Sequence, residues 1–403
     1  MMTTRIYADH AATTPVREEV LAAMLPYFAA VGFNASSLHA EGRAARAALD
    51  EARESVAASL GARPREIVFT GGGSEADTLA IVGAARAQRA TSGRRHVVTA
   101  AAEHHAVLRA AEMLADEGFD VTVLGVDADG RVDPAAFAAA LRADTAVASI
   151  MLANNELGTI QPVAELARIA RERRVTFHCD AIQAPGRTPL DVRSLGVDML
   201  SISAHKFYGP KGVGALYVRA GTPLVPIVGG GGQEFGLRSG TENVAGIVGL
   251  ARALALAVAE QPAESARLEQ MRDRFEAAVS AIAGVRINGA GALRLTNVTS
   301  VAFEGADAPT LLARLDIEGV AASAGSACAA GSVEPSHVLS ALDIPSWAKA
   351  GTVRFSFGKL TSERDVERLA SMLPKLARAV RDDAADMGTE QCGRFADRVE
   401  ERF

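Results

Sequence analysis

The sequence predicts an α/β fold: a mostly parallel seven-stranded sheet covered by helices on both faces, followed by a smaller α+β domain. Three observations predict it. Seven short runs are apolar throughout rather than alternating, as strands buried on both faces are. Helical patterns separate most of these runs, which is the mark of strand–helix–strand units. Beyond about residue 260 that alternation stops and a different pattern begins.

The seven runs are residues 66–70, 96–99, 121–124, 146–151, 175–178, 199–202 and 213–218. Two of the clearest helical stretches between them are 75–89 and 105–117, whose apolar positions recur at helical spacing. Residues 242–282 form a long alanine-rich helical region, predicted to break near Pro262. Next come a strand candidate at 295–303, a helix at 309–315 and a strand at 352–357. We expect a large domain over 15–260, a small domain from 1–14 with 261–380, and a tail over 381–403 that is acidic and amphipathic at best.

Composition narrows the function classes. At 403 residues with 49% hydrophobic content, the chain is long enough for two sizeable cores. A net charge of -6 and a pI near 5.8 argue against nucleic acid or an anionic membrane as the main partner. No stretch is expected to span a membrane, and the first residues lack a signal-peptide pattern, so the expected compartment is the cytoplasm. The three cysteines, Cys179, Cys328 and Cys392, have no metal-ligand spacing and are too few for a disulfide framework. No metal site is expected.

Chemistry gathers at the strand ends. Lys206 lies in Ser203-Ala204-His205-Lys206, just after the run 199–202. An amine held there with a depressed pKa can form a Schiff base. A surface lysine in a basic loop is the plainer reading of this segment alone. Ser203 and His205 could bind an anion. Gly71-Gly72-Gly73-Ser74 joins a strand to a helix, so its free N–H groups form an anion site and Ser74 can cap the helix. Asp180 ends another strand, one strand–helix–strand unit before Lys206, so both should open on one sheet edge. It could pair with a protonated pyridine nitrogen, or simply cap a helix.

His104, beside His105, could stack on a planar cofactor or shuttle protons. Asn155, in Asn154-Asn155-Glu156, offers an amide at the same edge, and Thr241 a hydroxyl at a helix start. Ser323 to Ser332 is a run of ten small residues with Cys328 at its centre. Such a run packs poorly, and an accessible thiol there is either a nucleophile or incidental to a linker. Cys179, with apolar flanks, reads as a buried structural thiol.

The ordered set of segments resembles the cysteine desulfurases of the NifS/IscS-like class. The carriers are Tyr7 to Pro15, Asn34-Ala35-Ser36-Ser37-Leu38-His39, Gly73-Ser74-Glu75-Ala76-Asp77, Glu103-His104, Asn154 to Gly158 and Asp180-Ala181-Ile182-Gln183. Ser203 to Lys206, Arg238 to Asn243, Gly325-Ser326-Ala327-Cys328, Pro335 to Leu339 and Arg354 to Gly358 complete the set. Together they cover about 90% of the chain.

The resemblance implies a pyridoxal 5'-phosphate-dependent transferase of fold type I, aspartate-aminotransferase-like, acting as a homodimer. It implies that Lys206 is the Schiff-base lysine, that Asp180 partners the pyridinium and Gln183 the ring hydroxyl, and that His104 stacks on the ring. Gly73, Ser74, Ser203 and His205 would cradle the phosphate, with Thr241 supplied by the second subunit. Asn34, Asn155 and Arg354 would hold the substrate. Cys328 would take sulfur from L-cysteine as a persulfide and leave L-alanine. The sulfur would then pass to an acceptor for iron–sulfur cluster assembly or tRNA thiolation.

Departures from the family pattern are small. Ser74 replaces a usual Thr, Thr78 a usual Asn and Cys179 a usual aliphatic residue. The tail differs from the scaffold-docking tail of housekeeping members. Selenocysteine lyase, an aminotransferase and a non-catalytic sulfur-relay scaffold are the alternative readings.

Overall fold

The structure, a computed structural model, describes residues 5–325 and 336–400, with side chains as far as Asp383. Its strands in chain order begin with β1 (Ile6–Tyr7), β2 (Ile67–Thr70), β3 (His96–Ala100), β4 (Asp120–Leu124), β5 (Thr145–Ser149) and β6 (Thr176–Asp180). They continue with β7 (Met199–Ser203), β8 (Gly214–Val218), β9 (Val285–Asn288), β10 (Val298–Phe303), β11 (Val320–Ala321) and β12 (Thr352–Ser356).

Strands β2 to β8 form one seven-stranded sheet in the order β2-β8-β7-β6-β5-β3-β4. All neighbours pair in parallel except β8, which runs against both β2 and β7. The continuous apolar runs have a direct cause here. Val97, Val147, Met199 and Leu216 pack on one face, under the helices Gly73–Ser92 and His105–Asp116. Their chain neighbours Val98, Ala148, Leu200 and Ala215 pack on the other, under Ala40–Leu60 and the first half of Val244–Ser280. All eight are fully enclosed. Burying each of the larger side chains stabilises the fold by about 2 kcal/mol.

A second core gathers around the antiparallel sheet β12-β10-β9 and the parallel pair β1–β11. Phe275 meets Phe355 and Phe357 edge-on there, with ring centroids 5.1 and 5.5 Å away. Strand β1 brings the N-terminal segment into this core through Ile6 and Ala8, and Asp9 to Thr13 then run on towards the large sheet.

The long helix departs from expectation. Val244–Ser280 is continuous, with Pro262 inside it. Proline lacks the N–H that would bond the Val258 carbonyl. Both residues are exposed, so water can take that acceptor. The flanking halves are held by different cores, Leu250 and Leu254 in the first and Leu268, Met271 and Phe275 in the second.

The same helix is also long and apolar enough to cross a membrane by length and composition, against the expectation that no stretch is. Half of its most apolar window is buried inside the protein, which is how a core helix passes such a test. The last helix, Glu363–Glu400, likewise runs on through the stretch expected to be amphipathic at best.

Candidate active site

Five parallel strands end at one edge of the large sheet, and each delivers a polar group there. Strand β2 leads to Gly73 and Ser74, β3 to His104, β5 to Asn155, β6 ends on Asp180, and β7 leads through Ser203 to His205 and Lys206. The crevice beyond the carboxyl ends of such strands is where open α/β sheets bind ligands. Here it is a cavity of about 250 Å³ lined by all of these residues, together with Gln183 and Arg354. Arg354 arrives from β12, in the second sheet.

Two of the residues singled out in the sequence do not line this cavity. Asn34 is exposed, and its Oδ1 accepts the Ser36 N–H at 2.8 Å. Thr241 is exposed just ahead of the helix Val244–Ser280. Cys328 lies outside the described residues, and so do the side chain of Cys392 and most of the small-residue run.

One end of the cavity is built for an anion. The helix Gly73–Ser92 starts there with Gly72 at its N-cap, so Ser74 sits in its first turn rather than capping it. The first-turn N–H groups have no partner within a helix, and the helix dipole adds partial positive charge. A larger residue at 73 would have to displace Ile182, because a Cβ there would lie 2.3 Å from Ile182 Cδ1. Ser203 and His205 flank the same turn in a wider opening of about 470 Å³. His205 Nδ1 lies 3.1 Å from Thr13 Oγ1, which ties the N-terminal segment to this end.

The other end holds the titrating groups. Lys206 Nζ donates to the carbonyls of Ala11 at 2.7 Å and Ala12 at 2.8 Å. Burial lowers its pKa to about 8, helped by Arg354 and Arg187 and opposed by Asp180 and Asp9. Burial raises Asp180 to about 6, against the pull of the Ile182 N–H and of Lys206. Asp180 accepts that N–H at 2.9 Å in a turn, so it caps no helix. His104 Nδ1 accepts the Ala106 N–H at 3.1 Å, which leaves the ring proton on Nε2. Burial, then Lys206, lowers its pKa to about 4, so the ring is neutral. On β6 itself, two residues before Asp180, His178 bridges Ser149 of β5 at 2.8 Å and Ser201 of β7 at 2.9 Å. Cys179 is fully buried, and burial pushes its thiol well up, so it is inert.

Arg354 closes the cavity with a partly satisfied guanidinium. Nη2 donates to Asp9 Oδ1 at 2.7 Å and Nη1 to the Asn155 carbonyl at 2.9 Å. Among the described residues its Nε is buried without a partner. An unsatisfied buried donor is costly unless a ligand completes it. Asn154, next to Asn155, is spent on structure: its Oδ1 accepts the N–H groups of Glu156 and Leu157.

The sequence assigned no role to Asp9, to the Ala11 and Ala12 carbonyls, to Thr13 or to Arg187. All but Arg187 belong to the segment Tyr7 to Pro15, whose place in the motif set was their only signal.

A family model described as aminotransferase class-V matches residues 6–369. The chain is 47% identical over 381 residues to the cysteine desulfurase IscS of Dictyoglomus turgidum, covering 94% of this chain and 96% of that one. It is 43% identical to the cysteine desulfurase NifS of Azotobacter vinelandii, covering 93% of each. A solved NifS-like protein superimposes with a TM-score of 0.86 at 36% identity, covering 93% of this chain and 99% of that one. A structure of SspA in complex with cysteine gives a TM-score of 0.78 at 38% identity, covering 88% and 99%.

Proposed function

The chain belongs to the class-V aminotransferase family and is a pyridoxal 5'-phosphate-dependent cysteine desulfurase, and on that premise we propose which of its residues carry the reaction. One observation supports the assignment above the others. Ten of the residues named from the sequence meet in one cavity, with a partly deprotonated lysine at its centre.

The residues present fit the cofactor. Unpaired N–H groups, Ser74, Ser203 and His205 suit a phosphate, and the Asp180 carboxyl suits a cationic ring nitrogen. Gln183 is a donor for the ring hydroxyl, and His104 a neutral ring for the cofactor face. When bound, the cofactor acts as an electron sink for charge formed at the substrate's α-carbon.

The protein's own groups do the rest. Asn155 and the free Nε of Arg354 hold the substrate carboxylate. The neutral amine of Lys206 takes the α-proton, and His104, with its proton on Nε2, carries protons between substrate atoms. Cys328, as thiolate, forms a bond to the substrate sulfur while the carbon–sulfur bond breaks. Its persulfide remains on the enzyme, and the carbon skeleton is protonated and leaves as L-alanine.

The test is direct. Protein incubated with L-cysteine should form alanine and a persulfide on Cys328, seen as +32 Da on the Cys328 peptide, an increment of one sulfur atom. Alanine without that adduct would sink the assignment of the nucleophile. A higher rate from selenocysteine would mark a selenocysteine lyase instead.

Arg354→Lys should raise the KM for cysteine by about 10- to 100-fold with a smaller change in kcat, because an ammonium cannot replace the guanidinium fork. Unequal loss confined to kcat would place Arg354 outside carboxylate binding.

The same proposal extends to partners. The enzyme acts as a homodimer, with Thr241 completing the phosphate site of the partner. Leu21, Leu25 and Phe28 are 48%, 57% and 64% exposed and follow one another along one helical face, which a second copy would cover. The sulfur acceptor is an iron–sulfur scaffold or a thiolation enzyme, in the cytoplasm, where reactive thiols stay reduced.

A further inference from the structure

Behind Lys206 and Gln183 lies a guanidinium that the reaction as described does not use. Arg187 is 8% exposed. Among the described residues no carboxylate lies within ion-pair distance of it, and it donates only to neutral oxygens. Nη1 reaches the Gln183 carbonyl at 3.0 Å and Gln183 Oε1 at 2.7 Å. Nη2 reaches the Lys206 carbonyl at 2.9 Å and the His10 carbonyl at 3.4 Å. A buried cation without a counter-ion is expensive to fold around. Its contacts show what its presence secures.

Those contacts close a ring. Arg187 has only donors, so the Gln183 amide must turn its oxygen to it. The amide nitrogen then donates to the Ala11 carbonyl at 3.0 Å. Lys206 Nζ donates to that same carbonyl. Arg187 completes the circuit at the Lys206 main chain. Swapping the amide's oxygen and nitrogen would set donor against donor at Arg187 and acceptor against acceptor at Ala11.

We propose that Arg187 is a positioning residue of this active site, holding the Gln183 amide with its N–H groups on the cavity side and the Lys206 main chain where Nζ meets Ala11. This rests on the reading of Gln183 and Lys206 as cofactor groups. Arg187 also acts through charge. Around the Lys206 amine, Arg187 and Arg354 favour the neutral form, Asp180 and Asp9 favour the charged form, and the neighbouring His104 and His205 are neutral.

The test uses full-length protein, measuring pyridoxal phosphate affinity by absorbance titration of the resolved enzyme. In parallel, the cofactor-free protein gives the pH midpoint of Lys206 acetylation by mass spectrometry. Arg187→Met should weaken cofactor binding about tenfold or more. It should also raise the Lys206 midpoint above about 8. Arg187→Lys should hold the midpoint near 8 through its charge but restore affinity only in part, since an ammonium cannot reach all four oxygens. Arg187→Gln, which can still donate to Gln183 but carries no charge, should keep affinity within about threefold while the midpoint rises.

Gln183→Ala should weaken binding, and adding Arg187→Met to it should cost less than Arg187→Met alone, since the two share the Gln183 contact while the Lys206 contact is Arg187's own. If Arg187→Met does not fold, the Lys and Gln variants still separate charge from hydrogen bonding. Wild-type affinity and midpoint in Arg187→Met or Arg187→Gln, or full additivity with Gln183→Ala, would overturn the inference. Unchanged affinity in Gln183→Ala alone would instead remove Gln183 from the cofactor site.

Discussion

Lys206→Ala is expected to slow alanine formation from cysteine by more than about 10³-fold, the upper range for loss of a positioned proton carrier. Nζ is held by two carbonyl oxygens, and its pKa of about 8 leaves an appreciable neutral fraction at neutral pH. An exposed lysine has almost none. The low value has named causes, burial first and then the charges of Arg354 and Arg187. The wild-type amine should therefore gain reactivity as pH rises through 8. Lys206→Ala should also abolish exchange of the cysteine α-proton with deuterated solvent, read by mass spectrometry of recovered substrate. Exchange at more than a tenth of the wild-type rate would move the proton-carrying role to another group. His104 is the first candidate, since it lines the same cavity with its ring proton on Nε2.

Much of this site was legible in the sequence because one physical rule places it. Strands buried on both faces read as apolar runs, and the polar residue that ends each run must open on the ligand edge. Gly73, His104, Asp180 and Lys206 follow from that rule directly. The helix starts two residues ahead of the expected Glu75 because Gly72 rather than Ser74 takes the cap, and glycine caps without a side chain to announce it. Strand β9 was missed because Val285-Arg286-Ile287-Asn288 is short and half-buried. Strands β1 and β11 are two residues each, and their pairing joins parts of the chain far apart in sequence.

Arg187 and Asp9 show a different limit. Arg187 looks like any surface cation four residues after Gln183. Its burial comes from His10 and Ser265, which approach from remote segments. Asp9 holds Arg354 across 345 residues of chain. Neither residue carries a local pattern, because what defines each is a tertiary partner. The continuity of the helix through Pro262 is of the same kind. Propensity alone breaks that helix, and two separate cores hold it together.

Cys328→Ala should stop persulfide and alanine formation as fully as Lys206→Ala, by more than about 10³-fold, yet leave the earlier chemistry intact. Cys328 itself lies outside the described residues, but the chain on either side of it is fixed to the cavity wall. Before it, Ser323 exchanges two backbone hydrogen bonds with Arg354, at 3.2 and 2.7 Å. Gly325, at φ +106°, passes so close to Glu156 that a Cβ would fall 2.5 Å from its carboxylate. After it, His337 Nε2 lies 2.8 Å from the carbonyl of Glu103, the residue before His104. The two anchors therefore sit beside the site, one on Arg354 and one next to His104, and neither supplies a cofactor contact that Ala at 328 would remove. Pyridoxal phosphate affinity should stay within about twofold of wild type. The α-proton of cysteine should still exchange, because Lys206 and His104 are untouched. The two variants thus divide the reaction: the lysine serves proton movement, and the thiol serves sulfur removal. Sulfide and alanine released at the wild-type rate by Cys328→Ala would break that division and require another nucleophile. Cys179, buried with its thiol held well up, could not be that group.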